Sequence, residues 1–266
     1  MRRVRAALIS GAIAIAASLA LACIHPFGNA GLYAEKYAGT PILKSAKVPS
    51  EVRAILVEKC ADCHSDHTQA PFYGRFAPAS WLMERDIVKA RRAMNLSLWD
   101  TYSADRQQTL AAKMVQESKS LEMPPVQYRF IHWNARIADA DLRIFNHWVH
   151  GPQSIPTDAD AMVAAEGNPT RGKALFEKRC TGCHALTQNH QGPQLQGIYG
   201  RRSGTAMAFA YSAALKNAQI VWDEKSLEKW LTDPDAFIPG NDMDFLVPKP
   251  QERRDLVSYL KQSSGN

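Results

Sequence analysis

Residues 180–184 read Cys-Thr-Gly-Cys-His, and residues 60–64 read Cys-Ala-Asp-Cys-His. Two thiols at i and i+3 on a helical turn share one face. They can add to the two vinyl groups of one haem, and the adjacent histidine then projects towards the iron as proximal ligand. A CxxC pair can also be half a zinc site, but zinc spacing brings the second pair within about 15–20 residues. Here 116 residues separate Cys63 from Cys180. A thioredoxin-like dithiol needs a βαβ setting, and strand-like alternation is nearly absent from this chain. The motifs therefore predict two covalently bound haem c groups. Cys60, Cys63, Cys180 and Cys183 would hold them, with His64 and His184 on the irons.

The segments around both motifs have helical period. Residues 52–59 and 170–176 lead into the two cysteine pairs. Residues 78–92, 103–118 and 139–150 carry apolar positions at mixed 3.6-type spacing. Ser103 is a candidate cap for the second of these. Residues 226–233 and 252–262 read as further helices. The expected fold class is all-α, with two tandem cytochrome c-like haem domains behind an N-terminal membrane segment. The surroundings of the two motifs are not copies of one another, which argues against a recent duplication.

The expected boundaries are a signal or anchor at 1–24, a tether at 25–48 and a haem-binding domain at 49–150. A linker at 151–165 and a second haem domain at 166–266 complete the chain. The linker rests on the Gly, Pro and Asp of GPQSIPTDADAM. In the N-terminal segment a basic start, Met1 to Arg5, precedes 19 uncharged residues, Ala6 to Ile24. That run is longer than most secretory h-regions and long enough to span a bilayer. An uncleaved anchor is preferred over a cleaved signal and over lipidation at Cys23, since Ala20-Leu21-Ala22 lacks the usual leucine three positions before the cysteine. Each option leaves the rest of the chain on the periplasmic side of a bacterial inner membrane, by the positive-inside rule.

The composition is that of a globular protein, 45% hydrophobic and 22% charged. The formal charge of +6 falls to +3 once Arg2, Arg3 and Arg5 are set aside. No basic run or basic-aromatic stripe supports nucleic-acid binding. Four of the five cysteines lie in the two motifs, so no disulfide framework is expected.

Residues 167–264 resemble the mitochondrial-type class I cytochrome c family over the domain's whole length. The segments that carry the resemblance are GNPTRGKALFEKRCTGCHAL, GPQLQGIYGRRSG, YSAALKNAQIVW, LEKWLTDPDAFIPGNDMDF and RRDLVSYLKQ. It implies that the carbonyl of Pro193 accepts the ring N–H of His184, fixing the imidazole. Met243 would be the distal ligand, and Arg201, Tyr211 and Trp222 would lie near the propionates. Gly172, Phe176, Leu256 and Tyr259 would form the contact between the first and last helices. Trp230 stands where many members have Tyr, a departure that removes a hydroxyl from beside the methionine sulfur. His/Met ligation raises the potential relative to bis-His.

Residues 49–150 are similar to a family of periplasmic domains named for binding haem. The similarity rests on CADCHSDHTQAPFYGRFAPASWLMERDI, NLSLWDTYSADRQQ and LEMPPVQYRFIHWNARI. Met123 is preferred as sixth ligand because the two prolines after it stiffen its loop. His132 and an open site are the alternatives; His67, three residues past the proximal ligand, is expected to stay on that ligand's side. Phe72, Tyr73, Trp81, Tyr128 and Trp133 are read as packing residues ahead of an electron path.

The functional expectation is an electron carrier between redox proteins of a respiratory or similar chain, with membrane contact through residues 6–24 and no enzymatic role. A dihaem peroxidase is the alternative, and it needs an iron open to peroxide. A haem sensor is the third.

Overall fold

A computed structural model describes residues 2–33, 43, 48–150 and 165–265. The expected linker and most of the second half of the expected tether lie outside these residues. Among the described residues the structure is helical, with no strand and a single antiparallel bridge between Arg202 and Val221. It divides into two compact units, Met1–Tyr102 and Ser103–Asn266.

In the first unit, α1 runs Arg2–Ala22, α2 Ser50–Lys59, α3 Ala61–His64 and α4 Ala79–Ala93, with 3-10 turns at Phe72–Arg75 and Leu96–Thr101. Helix α1 has a mean hydropathy of 2.0 over its apolar window and is long enough to cross a membrane. Its last turn is tied to α4. The Ser18 hydroxyl donates to the Ala77 carbonyl at 2.7 Å, and the Trp81 indole N–H donates to the carbonyls of Leu21 and Ile24. The His25 ring nitrogen meets both oxygens of the buried Glu84 carboxylate, at 2.8 and 2.9 Å.

The first residues after α1 pack on the first unit. Ala30 and Leu32 are buried against Ile87 of α4, with Cys63 packed on the same cluster. The Arg91 guanidinium binds Ala30 to the loop after the first cysteine motif, donating to the Ala30 and Ser65 carbonyls and to the Thr68 hydroxyl.

The second unit opens with α5, Ala104–Lys119, capped by the Ser103 hydroxyl, which accepts from the Arg106 N–H. Then come α6 Val126–Ile131 and α7 Asp139–His150, with a 3-10 turn at Trp133–Ala135. Helix α5 packs on α7, and Val115 and Phe145 are among the most buried side chains of the chain. The remainder is α8 Pro169–Arg179, α9 Ala213–Asn217, α10 Glu224–Thr232, α11 Pro234–Phe237 and α12 Pro250–Ser264.

Helix α8 starts with Pro169 at its first turn, and the Asn168 side chain accepts from the N–H groups of Thr170 and Arg171. It crosses α12 at very short range. A Cβ added to Gly172 would lie 1.9 Å from the Asp255 carbonyl oxygen, so only glycine permits this approach. Beside it the Phe176 and Tyr259 rings lie 5.5 Å apart, and Arg171 makes two hydrogen bonds to Asp255 at 2.7 and 2.9 Å. The core joins Phe176, Trp222, Leu227, Trp230, Val247 and Leu256.

Candidate haem sites

Both cysteine motifs take the same backbone turn. The N–H of His64 donates to the Cys60 carbonyl at 2.9 Å, and that of His184 to the Cys180 carbonyl at 2.8 Å. In each, the first cysteine ends the preceding helix, so two thiols and an imidazole leave one turn of chain. The four cysteines are free thiols here, and all are partly buried. Burial pushes Cys60 and Cys180 up to about 12 and Cys63 to about 11. A redox-active dithiol needs the opposite shift, a thiolate stabilised near neutral pH. No group of three or more His, Cys, Asp or Glu side chains suited to a metal ion occurs among the described residues.

The two imidazoles are oriented alike. His184 Nδ1 lies 2.9 Å from the Pro193 carbonyl oxygen, the contact that the sequence resemblance implied. His64 Nδ1 lies 3.1 Å from the Met94 carbonyl oxygen. Carbonyl acceptance at Nδ1 fixes the tautomer and leaves Nε2 as the electron-pair donor, as a metal-ligating histidine requires. Burial lowers the pKa of both rings, which favours the neutral ligand form. Gly192 makes room for the second ring: a Cβ there would lie 2.2 Å from His184 Cε1.

The Met94 acceptor was not foreseen in the sequence, because a main-chain oxygen carries no residue signal. Its neighbour explains the placement. Asn95 is buried, its amide oxygen accepts from the Ser97 N–H and its amide nitrogen donates to Asp66 at 3.2 Å. Its own N–H donates to the Tyr102 hydroxyl. The segment 94–97 is thereby held beside the first motif.

In the second unit Cys180, Cys183, His184, Pro193, Tyr211, Trp222 and Met243 line one cavity of about 360 Å³. Arg201 stands beside Tyr211 and donates to the carbonyls of Gln194 and Gln196. The methionine loop is braced from within. Gly240 supplies a left-handed turn at φ +83°, the Asn241 side chain accepts from the Met243 N–H at 2.7 Å, and its amide donates to Asp235 and the Ile238 carbonyl. The Trp230 indole N–H donates to the Met243 sulfur at 3.1 Å. Trp230 removes the hydroxyl that many members have here, and its indole N–H is the donor that stands beside the sulfur instead. These residues fit a covalently held haem, with His184 and Met243 as its axial candidates.

The first site is less complete. Met123 stands half-buried in the loop between α5 and α6, where its N–H donates to the Glu117 carbonyl. It belongs to the second unit and His64 to the first. The His132 ring stacks on Tyr128 at 4.2 Å. His67 lies just past the motif, with its N–H on the Ser65 hydroxyl. Phe72 and Trp133 are 78% and 86% exposed and do not pack a core.

In the second unit a cysteine turn and a methionine loop face one cavity within a helical frame, which defines the site of a haem protein. Comparison with known sequences then gives the family. The Cytochrome c family matches residues 169–264, and the Haem-binding domain family matches residues 20–151. The chain is 39% identical to cytochrome c of Nigella damascena over 106 residues, which is 38% of this chain and 96% of that protein. It is 44% identical to cytochrome c of Chlamydomonas reinhardtii over 38% of this chain and 95% of that protein, and 44% identical to that of Theileria annulata over 39% and 93%. Among solved structures, cytochrome cH from Methylobacterium extorquens is 36% identical over 36% of this chain and 99% of its own, with a TM-score of 0.35. The chain belongs to the cytochrome c family, and it carries a haem-binding domain before its cytochrome c domain.

Proposed function

We propose that the chain is a dihaem c-type cytochrome that carries single electrons between redox proteins on the periplasmic side of a bacterial membrane. The observation that carries this reading is the repeated proximal geometry, His64 on the Met94 carbonyl and His184 on the Pro193 carbonyl. When bound, haem supplies the one-electron ferric/ferrous couple. The chain's residues then hold it by Cys60 and Cys63, or Cys180 and Cys183, and orient the proximal imidazoles. Met243, braced by Asn241 and Trp230, would be the second protein ligand of a haem held by Cys180 and Cys183. Such His/Met ligation would close that site to peroxide, as a carrier requires. Met123 is assigned to the first site on its proline-stiffened loop. The tie of Leu21, Ile24 and His25 to α4 supports an uncleaved α1 as membrane anchor.

Denaturing mass spectrometry of the full chain tests the haem count. Two haem masses are expected, with one lost in Cys60→Ser/Cys63→Ser and the other in Cys180→Ser/Cys183→Ser. One covalent haem in the wild type sinks the dihaem assignment. Turnover of hydrogen peroxide at an enzymatic rate sinks the carrier assignment.

A further inference from the structure

The cavity of the cytochrome c domain has a wall that does not come from residues 165–265. Thr109, Ala112 and Gln116 of α5, on one helical stripe at spacings of three and four, line it together with Cys180 and Cys183. The approach is close. A Cβ added to Gly182, inside the cysteine motif, would lie 3.0 Å from Thr109 Cγ2. Thioether links from Cys180 and Cys183 would tie a haem to this segment, and α5 packs directly over it.

Polar contacts hold this stripe along its whole length. Lys178 meets Asp105 at 2.5 Å at one end, Lys119 pairs with Asp244 at the other, and Gln191 donates to Glu117 between them. The Arg179 guanidinium lies beneath α5 with its side chain only 5% exposed. It reaches Glu252 at 2.6 Å, Gln108 at 2.5 Å and the face of the Phe245 ring. A buried cation needs such partners, and α5 supplies Gln108 among them. The contact is therefore built into the charge balance of the domain. Its Asp105–Lys178 end is a largely exposed ion pair that water can replace at little cost, whereas the Lys119–Asp244 end holds a buried carboxylate and is the firmer one.

We propose that α5 is a cover over the cysteine side of the second haem pocket and gates electron exchange between that haem and other proteins. A helix is about 10 Å thick, and electron transfer falls steeply with distance. A protein partner therefore exchanges electrons quickly on this side only when α5 moves aside, whereas a small reagent is less affected. The inference rests on the carrier reading.

The test uses the full-length dihaem protein, reduced and mixed with hexacyanoferrate(III) or with an oxidised blue copper protein. In both reactions one ferrous haem gives one electron to the oxidant, iron(III) or copper(II). The phase of the second haem is the one whose spectrum changes in Met243→His. Ala112→Arg places a charge under the cover, and Asp105→Lys faces Lys178 with a like charge; amide hydrogen exchange of residues 108–116 reports release of α5.

In the variants the copper protein's rate is expected to rise about tenfold or more, within the range that interface changes give association rates. The hexacyanoferrate rate should stay within about twofold over the same comparison. An unchanged copper-protein rate with α5 released overturns the gate, and so does a wild-type α5 that already exchanges freely. A cover that neither variant releases is no gate and overturns it as well. If neither oxidant takes an electron from either haem, the carrier reading itself fails.

Discussion

The indole N–H of Trp230 donates to the sulfur of Met243 across 3.1 Å, and the same ring lies edge-on to Trp222 at 5.4 Å. A donor on the thioether draws electron density from the sulfur and makes it a weaker donor to ferric iron. That would raise the potential of a haem held by Cys180 and Cys183. Trp230→Phe keeps an aromatic ring against Trp222 and removes the N–H. The potential should fall by about 20–40 mV, the one-electron equivalent of about 0.5–1 kcal/mol for a modest hydrogen bond. A spectroelectrochemical titration checks it, and an unchanged midpoint would show that the contact does not reach the iron.

Asn95 offers a handle on the first site, because the Met94 carbonyl cannot itself be replaced by mutagenesis. Its amide fixes the turn that carries this carbonyl to His64. Asn95→Ala should destabilise the domain by about 1–2 kcal/mol, the cost of a lost cap and its buried partners. The potential of a haem held by Cys60 and Cys63 should rise, since the imidazole loses its fixed acceptor and donates less electron density to ferric iron. A redox titration should show no change at a haem held by Cys180 and Cys183. Equal shifts at both would contradict the local role given to Asn95.

The cysteine turns and most of the helices were legible in the sequence, because each is a local signal of spacing and capping. Ser103 caps α5 as its position before an apolar period suggested. The Pro193 contact was legible through resemblance. Other features were not. The Met94 carbonyl is main chain, and its use depends on how 94–97 folds against residues distant in sequence. Ala30 and Leu32 sit in a stretch without periodicity, so their burial on Ile87 gave no sign in a scan for repeats. The loss of a hydroxyl at Trp230 was legible, but the indole N–H donation to Met243 depends on how the ring is turned in the core. The assignment of α5 to a wall of the second cavity is a tertiary fact, since its stripe of Thr109, Ala112 and Gln116 has no strongly apolar member.

Gly172 tests the α8–α12 crossing. Its missing Cβ would meet the Asp255 carbonyl oxygen at 1.9 Å and the Tyr259 Cβ at 2.8 Å. The first obstacle is helical backbone, which cannot rotate away as a side chain can. Gly172→Ala should therefore cost about 3 kcal/mol or more despite the better helix propensity of alanine. Denaturant unfolding followed at the haem band of the second domain measures this. A stabilised or neutral variant would show that the two helices separate easily.

Asp255 sits at the same crossing and sets a pH dependence. Burial alone would raise its pKa, but Arg171, the Asn168 N–H and Gln251 together hold it below the ordinary carboxylate value of 3.8. A folded pKa below the unfolded one contributes stability that is present above the unfolded value and lost as pH falls through the folded one. The Asp255 contribution should thus be full at neutral pH and fade only below pH 3.8. Asp255→Asn keeps the shape and removes the titration, and should be less stable than the wild type at neutral pH. The difference between the two should shrink as pH drops through the acid range, with the two unfolding curves converging at its lower end. Raised salt should shrink it as well, since Arg171 is largely exposed and its attraction is screened. A gap independent of both pH and salt would mean that hydrogen bonding to Asn168 alone, without the charge, accounts for the role of this carboxylate.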